Sequence, residues 1–67
     1  MNYKRIRRTM RKYGWRSGEL AELIGIEENT MRRKLYGFEE ISVLEAIKII
    51  AALDISAAEA SLIIMGF

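Results

Sequence analysis

Glu28, Asn29, Arg32, Arg33 and Tyr36 stand at i, i+1, i+4, i+5 and i+8, a spacing that gathers them on one face of an α-helix. The set comprises carboxylate, amide, guanidinium and phenol. Such groups hydrogen-bond the base edges and phosphates of nucleic acids, and a carboxylate there can accept from cytosine N4. Two blander readings fit the same residues. Arg32, Arg33 and Lys34 could form a solvated helix face in which Glu28 pairs with Arg32 at i,i+4, and Asn29 could merely help to start the helix. No other chemistry is on offer. The chain has no histidine and no cysteine, which removes thiolate catalysis, zinc fingers and the commonest general base. Its carboxylates are scattered, and no glycine-rich phosphate loop occurs, so no catalytic constellation forms. The chain is expected to be no enzyme, to need no cofactor and to bind no metal.

Charge separates the two ends. Up to Tyr36 there are ten Lys/Arg against four Glu; from Gly37 onward there is one Lys against five acids. The halves carry net charges of +6 and −4 within an overall +2, which suits a polyanionic partner for the first half only. The basic residues Lys4, Arg5, Arg7, Arg8, Arg11 and Lys12 either touch phosphate or cover apolar surface with their stems. A hydrophobic content of 51% argues for a packed core rather than disorder. No apolar run approaches the roughly 20 residues of a membrane span, and no apolar segment follows the basic start as in a signal peptide. These features predict a cytoplasmic domain without a membrane partner. A length of 67 residues allows one small domain.

Periodicity and capping predict five short helices and no strand. Tyr3, Ile6, Met10 and Tyr13 form one face of the first helix, with Gly14 after its end and Trp15 as a lid on the core in preference to a base-stacking residue. A second helix over about 17–24 turns Leu20, Ala21, Leu23 and Ile24 inward, and Gly25 ends it. Ile26 plugs the turn. The third helix, over about 28–36, has only Met31 and Leu35 for the core, and Gly37 stops it. Ser42-Val-Leu-Glu45 and Ser56-Ala-Ala-Glu59 are both S-x-x-E capping boxes, opening helices over about 43–53 and 57–65. Val43, Leu44, Ala46, Ile47, Ile49, Ile50 and Leu53 are the apolar positions of the fourth. Two short helices joined by one glycine must cross steeply. The small Ala21 permits their close approach, and the break at Gly25 holds a polar helix clear of the core.

The spacing Gly14, Leu20-Ala21, Gly25-Ile26, Met31 and Gly37, followed by a Ser-capped apolar helix, resembles the lambda-repressor/Cro-type helix-turn-helix family. The resemblance covers residues 3 to 54, and "RRKLYG" through "ISVLEAIKIIAALDIS" most resembles short phage-encoded members. It implies an all-α repressor-like fold with the helix-turn-helix at about 17–36 and a recognition helix over 28–36 in the DNA major groove. By position, Glu28, Asn29 and Arg33 fall where the family reads bases. Ser17, at the start of the second helix, falls where it touches phosphate, Arg16 beside it is a further expected DNA contact, and the turn from Tyr36 to Phe38 runs along the backbone. Arg32 shares the outward face. Arg16 stands where the family commonly has a Thr or Ser cap, Gly18 lies inside a helix, and Lys34 occupies an often apolar position. Glu27, Glu28, Glu39 and Glu40 repel phosphate wherever they face it.

The final "SLIIMGF" surrounds its helix with apolar residues. Either a small domain uses both faces, or the chain forms a two-fold dimer through Leu62, Ile63, Met65 and Phe67. A third arrangement, a strand pairing between copies after Leu53, is opposed by the helical "SAAEAS". The expected function is a sequence-specific DNA-binding regulator of the phage or prophage repressor/Cro kind, a homodimer on a pseudo-palindromic operator. The chain length leaves no room for an effector domain, which favours a stand-alone Cro-like or anti-repressor-type protein over a two-domain inducible repressor. The rival expectation is a protein-interaction module that keeps this fold without binding DNA, favoured by the four glutamates near the proposed face.

Overall fold

The computed structural model describes residues 1–66 as five α-helices: α1 (Tyr3–Lys12), α2 (Ser17–Ile24), α3 (Glu28–Leu35), α4 (Val43–Leu53) and α5 (Ala57–Met65). No strand occurs among the described residues. α2 is the hub, packing against both α3 and α4, while α1 lies against α3 and α5. The core runs through all five helices: Ile6 and Met10, Leu20, Ala21 and Ile24, Met31 and Leu35, Ala46, Ile49 and Leu53, and Ile63, with Ile41 from the α3–α4 loop.

The turn between α2 and α3 forms as its residues require. Gly25 takes φ 90°, a left-handed conformation that costs a side-chain-bearing residue roughly 1–2 kcal/mol. There the N–H groups of Gly25 and Ile26 both donate to the Ala21 carbonyl, at 2.8 and 3.0 Å, so the end of α2 is closed without a side chain. Ile26 is half-buried against the core.

Capping explains the later helices. At α4 the reciprocal box is complete: the Glu45 N–H donates to Ser42 Oγ at 3.1 Å, and the Ser42 N–H donates to Glu45 Oε1 at 2.9 Å. At α5 only half of the expected box forms. Ser56 Oγ accepts from the Glu59 N–H at 3.1 Å, but the Glu59 carboxylate turns to Arg5, 3.3 Å away on α1. A long-range cation draws the carboxylate away from its local backbone donor, and the pair ties α5 to α1.

Several apolar residues expected inside lie outside. Tyr13 and Leu23 are exposed, as are Val43, Leu44 and Ile47 on α4. The reason is arc width. α2 buries only Leu20, Ala21 and Ile24, and α4 buries only Ala46, Ile49 and Leu53, because each helix is covered on one side alone. On α5, Ile63 is 2% exposed, whereas Leu62, Ile64 and Met65 face outward. Ile63 therefore belongs to the monomer's core and is withdrawn from the expected dimer contact. Phe67 lies outside the described residues.

Candidate nucleic-acid interface

α2 and α3 differ from the other helices at their N-termini. Side-chain oxygens cap α1, α4 and α5, from Asn2, Ser42 and Ser56. The N-cap residues of α2 and α3, Arg16 and Glu27, give no side-chain cap. For Arg16 the reason is chemical, since a guanidinium has five donors and no acceptor. The Glu19 carboxylate does accept from the Arg16 backbone N–H at 2.9 Å. The leading N–H groups of α2, with the helix dipole behind them, are thus open to an external anion.

The start of α2 also forms one wall of an open cleft of about 320 Å³. Arg16 and Ser17 stand on one side, Leu35 and Tyr36 of the α3 end on another, and Arg7, Met10, Arg11 and Trp15 complete the lining. The guanidiniums of Arg11 and Arg16, with two aromatic rings beside a helix N-terminus, make a surface fit for a phosphate backbone. Trp15 is half-buried against the core, so it serves both as the expected lid and as a wall of the cleft. From the sequence, Trp15 is placed in the core and Arg11 is only one of six α1 cations that either touch phosphate or cover apolar surface; the cleft singles both out. The available signal was adjacency: anything bound at Ser17 must pass beside Trp15 and Arg16.

Glu28, Asn29, Arg32 and Arg33 are exposed on the outer face of α3, away from buried Met31 and Leu35. The first turns of α2 and α3 meet here, since a Cβ at Gly18 would lie 3.4 Å from the Glu28 carboxyl carbon. Tyr36 is exposed at the other end of α3 and separated from Glu28 by the length of the helix.

Each cation of the Arg32-Arg33-Lys34 run has an acid. Arg32 meets Glu28 at 2.8 Å, Arg33 meets Glu39 at 3.3 Å, and Lys34 meets Glu45 at 3.0 Å. The first two pairs are largely exposed, and such pairs are worth only about 0–1 kcal/mol. Pairs this weak leave both guanidiniums able to change partner. The third pair is different: Lys34 is mostly covered, and its ammonium also donates to the Glu40 carbonyl at 2.9 Å. Lys34 struts α3 against the α4 box, which is why a cation fits a position that is often apolar. The Ser42 backbone N–H, and with it the Lys34 ammonium, hold the Glu45 carboxyl below its ordinary value near 4.5, against the opposing effect of partial burial.

Among the described residues no cluster of acids forms a cation site, and no helix is long and apolar enough to cross a membrane. No curated protein and no solved structure matches the chain. The profile of the Cro/C1-type HTH DNA-binding domain matches residues 5–60, a span that holds most of α1, all of α2 to α4, the first turn of α5 and every residue around the cleft. With α3 displayed on a glycine-turned support and α2 offering uncapped N–H groups beside it, the chain belongs to the Cro/C1-type helix-turn-helix DNA-binding family.

Proposed function

We infer that the protein is a sequence-specific transcriptional regulator of the phage or prophage repressor/Cro kind, acting by occupying operator DNA rather than by catalysis. The observation that carries this reading is the outer face of α3. Glu28, Asn29, Arg32 and Arg33 stand free of the core there, and the uncapped start of α2 lies beside them. In this mechanism α3 enters the major groove, Asn29 and Arg33 meet base edges, and Glu28 accepts from cytosine. Arg16 and Ser17 hold one phosphate at the α2 N-terminus, and Tyr36 lies along the sugar-phosphate backbone. Exposed Leu62 and Met65 support a homodimer. Two copies of α3 would then stand about one DNA turn apart, roughly 34 Å, on a pseudo-palindromic site.

An amide-shift titration with a random-sequence duplex, at low and at physiological salt, tests the interface. Shifts are expected at Ser17, Glu28, Asn29, Arg32, Arg33 and Tyr36, and they should fade as salt rises, because bound phosphates displace counterions. No shift at low salt would overturn the reading in favour of a protein partner.

A further inference from the structure

The cations of α1 are not equivalent. Arg7 Nη1 donates to the Leu35 carbonyl at 2.6 Å, and its guanidinium carbon sits 4.3 Å from the centroid of the Tyr36 ring. An α-helix leaves its last four carbonyls without partners inside the helix. In α3 three of these are closed locally: Arg32, Arg33 and Lys34 accept from the N–H groups of Tyr36, Phe38 and Gly37 at 3.1, 2.8 and 3.2 Å. The fourth, of Leu35, is closed from another helix by Arg7. Tyr3 stands one helical turn before Arg7, on the same face of α1. Its ring lies against the turn at Gly37, where a Cβ would come within 3.2 Å of it. α1 thus grips the end of α3 at two adjacent points.

We propose that Arg7 is a positioning residue, which fixes the last turn of the recognition helix and the Tyr36 ring from α1, and is not a phosphate contact. The proposal rests on the DNA-binding reading. Three effects act together at this point: a charge-assisted hydrogen bond, a cation at the negative end of the helix dipole and a guanidinium stacked on a ring. Drawing Arg7 away to a phosphate would open the Leu35 carbonyl and release the ring, so the surface gained would be lost elsewhere. Exposed Arg11, which lines the same cleft without such a bond, is the contrasting phosphate ligand.

The test uses the whole chain as wild type, Arg7→Gln, Arg7→Lys and Arg11→Gln. Amide exchange is measured without DNA, and random-duplex affinity is followed against salt. In Arg7→Gln the amides of Tyr36, Gly37 and Phe38 should exchange roughly ten-fold faster or more, the worth of a hydrogen bond to a charged group, while those of α2 and α4 keep their rates. Its affinity should fall with the salt slope unchanged, whereas Arg11→Gln should lose about 0.9 of slope. Should Arg7→Gln fail to fold, Arg7→Lys keeps the charge but not the planar stack, and the same local loss is expected. A slope reduced by about 0.9 in Arg7→Gln with exchange unaltered would overturn the proposal. So would faster exchange spread evenly over every helix, or wild-type behaviour in Arg7→Lys. Absence of duplex binding by the wild type would instead remove the DNA reading, with the exchange pattern still reporting on Arg7.

Discussion

Arg33 and Glu39 meet at 3.3 Å in the free chain, so the base contact proposed for Arg33 would begin with an exchange of partners. The exchange is small in energy: an exposed pair contributes about 0–1 kcal/mol, whereas a bidentate contact to guanine discriminates by about 1–3 kcal/mol. Arg33→Ala is therefore expected to weaken binding to the preferred sequence by roughly 1–3 kcal/mol and to flatten base preference at one position. Competition binding against single-base variants of a selected duplex measures this. An equal loss on every sequence would assign Arg33 to phosphate instead. The same reasoning answers two of the four glutamates near the interface. Glu28 and Glu39 are occupied by Arg32 and Arg33, so their charge is neutralised within the free face, whereas the carboxylates of Glu27 and Glu40 are not met in this way among the described residues.

Elements are held by a few specific contacts, and two of these give sharp predictions. At Gly25 nothing lies within 4 Å of where a Cβ would stand, while φ is 90°. Gly25→Ala should thus report backbone strain alone, lowering stability by about 1–2 kcal/mol in thermal or denaturant unfolding with the fold retained. A loss near zero would mean that the turn relaxes to another conformation. At the α3–α4 junction, Glu45 is held below its ordinary value near 4.5 by the Ser42 backbone N–H and Lys34. A carboxyl depressed by folding stabilises the protein above its unfolded value, and that contribution disappears as the pH falls through the folded value. Wild-type stability should accordingly decline more steeply below about pH 4.5 than that of Glu45→Gln, which should already be less stable at neutral pH. Parallel acid profiles would show that the junction does not depend on the carboxylate. The helix limits were legible because their signals are local: Gly25 and Gly37 at C-terminal ends, Ser42 and Ser56 at starts. What Lys34, Glu59 and Arg7 do was not legible, because each meets a residue on another helix.

At the scale of the whole molecule, the question is which apolar residues the monomer leaves uncovered. Leu62, Ile64 and Met65 on α5, and Val43, Leu44 and Ile47 on α4, all face solvent. Only one residue of the described α5, Ile63, is buried. The double variant Leu62→Lys, Met65→Lys is expected to keep its helical content, since neither side chain is in the core. If the proposed dimer forms through α5, the variant should also shift sedimentation from dimer to monomer and weaken operator binding while leaving the contact made by each copy intact. A wild type that sediments as a monomer would overturn the dimer, and a variant that stays dimeric would exclude α5 from it and direct attention to the exposed face of α4.

The amino-acid sequence by itself determined the all-α class, the five helix positions, the break at Gly25 and the outward set Glu28, Asn29, Arg32 and Arg33. Each follows from periodicity or capping within a few neighbouring residues, and such interactions are written along the chain. Tertiary structure alone decided that Ile63 is core and Leu23 surface, that Glu59 leaves its box for Arg5, and that Trp15 and Arg11 join Arg16 and Ser17 around one cleft. These outcomes depend on which side of each helix a neighbour covers. A helix long enough to be apolar nearly all round, as α4 is, carries no local mark of the side that will be met. Coverage is set by how the helices pack, and that packing joins residues far apart in the chain.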